Sequence, residues 1–543
     1  MQLYAAHFHH LDFFPVWSSS DAFGLGSPVL LYYHKAFFYV AAFFYILLGG
    51  AMKPALMVSM VLFIVVGAYG MRCALSIVTP SRLLCTAGSI GFVFTNYVFT
   101  DWLSRGDLPE FSAMMIVPWL LYWCLKLIKR RRSSLVLIPT MFLLVNAHSA
   151  TALISLVTVV VALCIFLASA GLAGLRAVLP RLALGVGGAT LLLAPTLLAE
   201  LRMAQSYDPA SKVTHYGALS GDFLPFRLYF FDGSAGWLSP ASHTFVQIDF
   251  AIWMAIIGVL IWLAIGHVRG HTKRESVRPD EIDKSITAFL VVSLVIYLVL
   301  QLRVTMGVYD VLSPLKSVDY PFRMLAFITP LGIILLVVLF QPIYLRYHRL
   351  IGMRALPAFW LASLVLLSPI TATWQFQPTV LAPPGQFPLL EISSVAQTIN
   401  FGTFSGVPTL YDGVLYGEYL PKVFDKQGTE LYDDIALYRR LHQHDHGAAS
   451  LSQVPCSVQP PARVPLESLE LRFRVECAAA TRLALPISYS AFTSVSAIRP
   501  DGSLRPVRTI HVRSDPRLVV KVQSARPEVL VVHLPTLWGV LWS

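Results

Sequence analysis

The stretch DWLSRGDLPEFSAMMIVPWLLYWCLKLIKRRR, residues 101–132, contains a charged segment, an apolar run and a basic segment, and these three features predict the fold. Its first ten residues include four charged residues, and an apolar run of the length that crosses a bilayer, about 20 residues, follows them. It ends in five basic residues with no acidic residue among them. Charges beside hydrocarbon are costly and are usually kept for a function. The four charged residues are Asp101, Arg105, Asp107 and Glu110.

The composition of the chain indicates an integral membrane protein. Its 543 residues are 56% hydrophobic and only 13% charged, which excludes an ordinary soluble domain. The net charge of +11 is concentrated in short loops between apolar runs, so the positive-inside rule explains it better than nucleic-acid binding. Residues 1–28 lack the basic segment and apolar core of a cleavable signal peptide. We therefore expect membrane lipid as a partner and no nucleic acid.

The apolar runs predict a polytopic α-helical fold of about ten membrane spans. The stretch 133–171 is too long for one span, and it breaks at NAHS (146–149), so it predicts two spans, one of them short. The other predicted spans lie near 54–71, 82–100, 109–128, 178–200, 248–267, 286–303, 323–341 and 356–374.

The basic loops predict the orientation of these spans. If KLIKRRR (126–132) is cytoplasmic, alternation places three further basic loops on the same side. These are the loop with Arg176 and Arg181 and the loops 267–284 and 344–354. The opposite side, interpreted as the periplasm of a bacterial inner membrane, then receives 101–108, 146–149, 201–247, 304–322 and everything after 375.

A further apolar run, 29–49, has two interpretations. It contains His34 and Lys35 and is rich in aromatic residues that favour membrane interfaces. If the run crosses the membrane, residues 1–28 are cytoplasmic. If it lies along the membrane surface, they are periplasmic. The residues by themselves leave both alternatives open.

The charged residues outside the basic loops all fall at the predicted periplasmic ends of spans, and none lies at a span midpoint. They are Asp101, Arg105, Asp107, Glu110, Glu200, Arg202, Asp249, Asp319 and Arg323, with His148 at the break between two spans. A transporter more often has ionisable groups near the middle of the bilayer. This pattern favours an active site at the outer face, which a lipid-linked substrate would reach.

Each of these residues also has a structural interpretation. Glu110 follows Pro109 at a helix start, where the helix dipole favours a carboxylate. His148 could satisfy backbone groups at the helix break, and Arg323 could extend its head towards the interface. Glu200 and Arg202 are predicted to form a local ion pair.

The composition changes after about residue 375, and short alternating segments predict strands. With a turn at RPDGS (499–503), they predict a β-sandwich from about residue 450. Cys456 and Cys477 could form a disulfide if this part faces an oxidising compartment. The predicted strands are 466–477, 481–498, 517–523 and 528–535.

Six short motifs in order resemble a family of bacterial membrane proteins related to GT-C glycosyltransferases. Some members are described as 6-pyruvoyl-tetrahydropterin synthase-related membrane proteins. The resemblance covers nearly the whole chain, although a tryptophan expected after the tyrosine in the β-region motif is absent. The motifs are PVWSSSDAFGLGSPVLLYYHKAFFY (15–39), SRGDLPEFSAMMIVPWLL (104–121), NAHSATALI (146–154), YPFRMLAF (320–327), GEYLPK (417–422) and LPISYSAFTSVSAIRPDG (485–502).

The resemblance implies a GT-C-like membrane glycosyltransferase that uses a polyprenyl-phosphate-linked sugar. It implies that 1–53 is a periplasmic loop with a juxtamembrane helix at 29–49. Residues 54–374 would then form the transmembrane domain and 375–543 a periplasmic domain.

The chain departs from this family at its start. GT-C enzymes usually have a catalytic acid just after a first span, and this sequence begins inside the loop that would follow such a span. Either the chain continues upstream of Met1, or the element has been lost. The departure favours the alternative function, a non-catalytic membrane protein that transports or scaffolds lipid-linked glycans in envelope assembly.

If the protein is an enzyme, its site residues take distinct roles. Glu110 and Asp101 are the candidate bases that deprotonate the acceptor hydroxyl. Arg105 and Arg323 are the candidate phosphate ligands, because guanidinium groups match phosphate geometry. His148 would position the substrate or carry a proton. No cofactor and no metal ligands are predicted, and the use of a divalent metal stays open.

Overall fold

We describe the protein from a computed structural model. The structure describes residues 1–18, 26–99, 101–102, 106–204, 207, 256–258, 283–312, 315, 318, 321–347, 423–424, 430–431, 449–450, 454–459, 469–499, 501–512, 515, 517–523 and 527–542.

Helices occupy most of the first part of the chain. In order they are α1 (Gln2–His9), α2 (Val29–Tyr32), α3 (Ala36–Leu47), α4 (Met52–Val78), α5 (Arg82–Val93), α6 (Asn96–Phe99), α7 (Leu108–Arg130), α8 (Leu137–Ala147), α9 (Ser149–Met203), α10 (Lys284–Leu300), α11 (Met306–Val311) and α12 (Leu325–Tyr347). Two 3₁₀ helices, Arg303–Thr305 and Pro321–Met324, precede α11 and α12. A last helix, α13, covers Leu537–Trp542.

Four of the described helical segments are long and apolar enough to cross a membrane: Met52–Val78, Leu108–Arg130, Ser149–Met203 and Pro321–Pro342. Four shorter apolar helices accompany them: Ala36–Leu47, Arg82–Val93, Leu137–Ala147 and Lys284–Leu300. The prediction of a mostly helical chain with apolar helices of membrane-spanning length is therefore confirmed, whereas the count of about ten spans stays a prediction. The predicted span at 356–374 lies outside the described residues, and so does nearly all of the span at 248–267.

The 55 residues of α9 form two segments that fold back on each other. A straight helix of this length would extend about 80 Å. Yet Lys35 contacts both ends of the region, since its backbone N–H donates to Asn146 O at 2.7 Å and its Nζ lies 3.9 Å from Glu200 Oε1. The reversal lies at Gly171, whose φ of 66° is a conformation that glycine adopts readily. The helix break predicted at 146–149 is confirmed, because α8 ends and α9 begins there.

The run 29–49 does not form one continuous helix. It divides into α2 and α3, with residues 33–35 between them. The 12 residues of α3 extend about 18 Å, whereas the hydrocarbon core of a bilayer is about 30 Å thick. This helix is therefore too short to cross a membrane by itself.

Glycines allow α4 and α7 to pack closely. A Cβ atom on Gly67 would lie 2.6 Å from Met115 Sδ and 3.1 Å from Met115 Cα. A Cβ atom on Gly70 would lie 2.7 Å from the Trp119 ring. The Trp119 indole N–H donates to Val66 O at 3.1 Å, a bond that depends on this approach. The two long helices therefore meet at distances that only glycine permits.

We predict that Gly67→Ala destabilises the protein by about 1–3 kcal/mol, because the added methyl group forces α4 away from the Met115 backbone. The matched control is Gly187→Ala in α9, where a Cβ atom meets nothing within 4 Å. This control should be neutral or stabilising by up to about 1 kcal/mol, since alanine favours helix. Thermal unfolding in detergent micelles measures both. Equal behaviour of the two variants would contradict the packing argument.

The C-terminal part forms two antiparallel sheets that share one core. The strands are β3 (Ala449–Ser450), β4 (Cys456–Gln459), β5 (Glu470–Cys477), β6 (Thr481–Ser488), β7 (Ser494–Ile498), β8 (Leu504–Val507), β9 (Thr509–Ile510), β10 (Arg517–Val522) and β11 (Glu528–His533). The four-stranded sheet has the order β3-β6-β10-β9 and the five-stranded sheet the order β4-β5-β11-β7-β8. The facing side chains of the two sheets, such as Phe473, Leu483, Leu518 and Leu530, belong to one hydrophobic cluster. A separate two-stranded sheet pairs β1 (Val423–Phe424) with β2 (Glu430–Leu431).

The predicted strands of this part are confirmed, with one subdivision. The segment 481–498 forms two strands, β6 and β7, which belong to different sheets. The predicted turn at 499–503 joins β7 to β8, and Gly502 within it has a φ of 80°. Cys456 and Cys477 face each other on β4 and β5 and form a disulfide.

The sheets and the helices are in direct contact. Ala199 and Met203 at the end of α9 lie in the same hydrophobic cluster as the sheet residues, together with Tyr207 and Trp17. The Tyr207 hydroxyl donates to the backbone carbonyl of Tyr489. The β region is therefore held against the end of α9 that carries Glu200.

Candidate functional site

Two carboxylates mark the start of α7. Asp107 is the N-cap residue, and its Oδ1 accepts a hydrogen bond from the backbone N–H of Glu110 at 3.1 Å. Pro109 in the first turn has no N–H to satisfy, so it fits this position. Glu110 in the same turn is completely buried. The local sequence D-L-P-E thus fixes the helix start and turns a carboxylate inward.

Arg323 is the ionic partner of Glu110. It lies in the 3₁₀ helix Pro321–Met324, and its Nε donates to Glu110 Oε2 at 3.1 Å. One terminal nitrogen donates to Val318 O at 2.7 Å, and the other lies 3.9 Å from Asp107 Oδ2. The interpretation of Arg323 as a residue that extends towards the interface is wrong, because it is 92% buried among these partners.

Glu110 has a second partner in Tyr97. The phenol of this buried tyrosine donates to Glu110 Oε1. Both carboxylate oxygens are therefore engaged, one by a cation and one by a hydroxyl.

His148 caps the helix that follows the break. Its Nδ1 accepts from the backbone N–H of Thr151 at 3.3 Å and lies 2.8 Å from Thr151 Oγ1. The predicted structural role at the break is therefore present. The same imidazole also belongs to the site, because Asp107, Glu110 and His148 offer ligand atoms that all lie within 4.8 Å of one another. We call Asp107, Glu110, His148 and Arg323 the polar cluster.

The residues between α2 and α3 border the polar cluster. The ring of His34 packs edge-on against His148, with 4.6 Å between ring centroids. Burial and the positive charges of Arg323 and Lys35 lower the pKa of His34 to about 4, although Glu110 opposes this shift. His34 is therefore a neutral imidazole at pH 7.

A second ion pair lies beside the polar cluster. Lys35 is buried, and its Nζ lies 3.9 Å from Glu200 Oε1. Burial lowers the pKa of Lys35 to about 8, against the opposing effect of Glu200. The Tyr32 hydroxyl donates to Glu200 O at 3.0 Å, which ties the same turn of α9 to α2.

The predicted pair between Glu200 and Arg202 is wrong. Residues two apart on a helix point in different directions, so their side chains do not face each other. Glu200 turns inward to Lys35, and Arg202 donates to the backbone carbonyls of Val540 and Leu541.

The structure brings together three of the five predicted site residues: Glu110, His148 and Arg323. Asp101 is buried nearby in the chain, and its carbonyl accepts from the backbone N–H of Asp107 at 2.9 Å. The predicted phosphate ligand Arg105 lies outside the described residues, as do Asp249 and Asp319.

Tyr97, His34 and Lys35 have no role that is predicted from the sequence. Tyr97 is an ordinary aromatic residue of an apolar run, and no sequence signal separates it from its neighbours. His34 and Lys35 carried a signal, because two polar residues interrupt the aromatic run 29–49. The sequence identifies Asp107 as a charged neighbour of Glu110 but predicts no role for it in the site.

The polar cluster could hold a divalent cation. Carboxylate oxygen and imidazole nitrogen are ligands for Mn²⁺ and Zn²⁺. The Arg323 guanidinium already forms an ion pair with Glu110, so a metal ion would compete with the guanidinium for that carboxylate. His148 would also have to release its Nδ1 cap or bind through the other ring nitrogen with a changed tautomer.

Comparisons of the chain with protein-family models, with curated proteins and with solved structures found no match. The function of the chain is therefore inferred from the geometry of the polar cluster.

We predict that Arg323→Ala destabilises the protein by about 3–5 kcal/mol, because it leaves the Glu110 carboxylate buried without its cation. Glu110→Gln should also destabilise it, since it leaves the guanidinium unbalanced. The double variant should lose less than the sum of the two single variants, because neither charge remains. Unfolding midpoints in micelles provide this double-mutant cycle, and strictly additive losses would contradict a direct coupling.

Proposed function

We propose that the protein binds a polyprenyl-phosphate-linked sugar at the outer face of a bacterial inner membrane and transfers the sugar to an acceptor hydroxyl. The observation that carries this proposal is the gathering of ionisable side chains at one end of an apolar helix bundle. Two buried cations, Lys35 and Arg323, lie there with carboxylates and imidazoles. Buried ionisable groups in a membrane protein are expensive and usually functional.

The placement at the outer face is supported by features at both ends of the bundle. Lys129 and Arg130 occupy the last turn of α7, at the opposite end from Glu110, and the basic segment 126–132 favours the cytoplasm. The disulfide between Cys456 and Cys477 fits an oxidising compartment such as the periplasm. The β region, packed on the Glu200 end of α9, would then lie on the periplasmic side.

The proposed reaction uses the charges as follows. Lys35 and Arg323 bind the phosphate that links the sugar to the lipid. The acceptor oxygen bonds to the anomeric carbon, the bond from that carbon to the phosphate oxygen breaks, and polyprenyl phosphate leaves. A carboxylate takes the proton of the acceptor hydroxyl.

Substrate binding can release the base. In the structure Glu110 is held by Arg323 and Tyr97. A phosphate that attracts the Arg323 guanidinium weakens its hydrogen bond to Glu110, so that a carboxylate oxygen of Glu110 becomes available to accept the proton of the acceptor hydroxyl. The ion pair between Glu110 and Arg323 would thus be exchanged for contacts between Arg323 and the substrate phosphate.

The alternative is a non-catalytic protein that transports or scaffolds lipid-linked glycans. One observation favours it, namely that both oxygens of the best candidate base are already engaged. In this case the cations would recognise the phosphate, and the Glu110–Arg323 pair would serve only the fold.

The test uses purified protein in detergent with a panel of radiolabelled polyprenyl-phosphate sugars, each with Mn²⁺ and with EDTA. We predict that wild type binds and transfers one of them. Glu110→Gln should keep binding but lose about 10²–10⁴-fold in transfer, because the base is removed. Arg323→Ala should lose binding at a temperature where its unfolding curve shows it still folded. The matched control Arg505→Ala removes an arginine that pairs with Glu528 in the β region at 3.1 Å, and it should retain both.

The outcomes separate the two functions. Binding of a donor lipid that Arg323→Ala abolishes, without transfer by any variant, supports the non-catalytic alternative. Transfer that survives in Glu110→Gln shows that another group is the base. Absence of both binding and transfer across the panel contradicts the proposed function.

A further inference from the structure

The C-terminal helix α13 has two faces of different character. Leu537 and Val540 are buried in the core of the β region. Trp538 and Trp542 are 57% and 82% exposed, and their spacing of four residues places them on the same side of the helix. The helix therefore presents two large indole rings away from the protein.

The helix is fixed to the end of α9. A terminal nitrogen of Arg202 donates to Val540 O and to Leu541 O, both at 2.8 Å. Carbonyls at a helix C-terminus have no partner within the helix, so the guanidinium satisfies groups that would otherwise need water. At the other end, the Gly539 N–H donates to Thr536 Oγ1 at 3.1 Å. The last turn of α9 therefore sets the position of α13 relative to the membrane surface.

That turn lies where the apolar outer side of α9 ends. Leu198 and Leu201 are 52% and 69% exposed, as expected of side chains that face lipid in a membrane-spanning helix. Glu200, between them, turns inward to Lys35. Arg202 is the first basic residue after this apolar side. A helix held by Arg202 therefore lies next to the boundary between hydrocarbon and headgroups.

We propose that Trp538 and Trp542 insert into the headgroup region of the bilayer and bind the β region to the membrane surface. Tryptophan concentrates at this level because its ring is apolar and its N–H needs a hydrogen-bond partner. Two tryptophans bury at most about 500 Å². A stable protein interface needs about 800 Å² from each partner, so lipid fits this surface better than another protein.

The anchor has a consequence for the polar cluster. The β region packs on the end of α9 through Ala199 and Met203, and Glu200 of the same turn binds Lys35. An attachment of α13 to lipid would hold the β region at a constant height beside the polar cluster. This inference depends on the membrane position of α9 and not on the proposed transfer reaction.

The test uses the full chain, labelled with 5-fluorotryptophan, in nanodiscs of phosphatidylethanolamine and phosphatidylglycerol. Trp538→Phe and Trp542→Phe assign the two fluorine resonances by their disappearance. We expect a gadolinium chelate attached to lipid headgroups to broaden both resonances strongly, and a water-soluble chelate to broaden them less. Trp119, at the middle of α7 and assigned by Trp119→Phe, is the internal control that both chelates should broaden least.

Arg202→Ala provides a second, independent variant, because it removes the bonds that hold α13 at this level. We expect weaker broadening of both resonances by the headgroup chelate in this variant. Broadening by the soluble chelate alone would overturn the proposal, because the rings would then lie in water. Protection from both chelates, with a dimeric mass, would overturn it in favour of a second copy as the occupant.

Discussion

The ion pair between Glu110 and Arg323 is the interaction on which this end of the helix bundle depends. The two residues are 213 positions apart, and the pair joins the start of α7 to the 3₁₀ helix before α12. Removing both charges from water costs several kcal/mol per ion, and their attraction offsets this cost only when further hydrogen bonds complete the geometry. Tyr97, Asp107 and the Val318 carbonyl supply these further contacts.

The same requirement explains the residues around the pair. His34 lies near Arg323 and Lys35, and it stays neutral because its burial, and then these two positive charges, lower its pKa. Lys35 in turn lies beside Glu200, which draws the end of α9 towards the segment between α2 and α3. Because a buried charge is unfavourable without a partner of opposite charge, these ion pairs determine which helices and connecting segments lie against each other.

In the proposed function, this arrangement recognises a phosphate anion. The buried cations and carboxylates of the described helical part collect at one end of the bundle, beside the β region, and their partners hold them in fixed positions. Fixed charges bind a phosphate without the cost of ordering flexible side chains. The compensating cost is that the carboxylates are already engaged, so any catalysis requires the substrate to replace an existing partner.

The sequence by itself determined most of the long helices, the main strands and the common end of Glu110, His148 and Arg323. An apolar run of span length has few alternatives to helix in a membrane, and apolar–polar alternation between turn residues is typical of half-buried strands. The break at His148 was also local, because the imidazole caps the helix that follows it. The N-cap Asp107 and Glu110 in D-L-P-E acted within one turn in the same way.

Only the tertiary structure decided which charged groups became partners. Glu200 pairs with Lys35 and not with Arg202, because the helix turns residues two apart to different sides and distant packing chooses between them. Tyr97 and His34 entered the site for the same reason, since their partners come from other elements. Pairing over such separations depends on the relative positions of packed helices, a property that no short stretch of sequence contains.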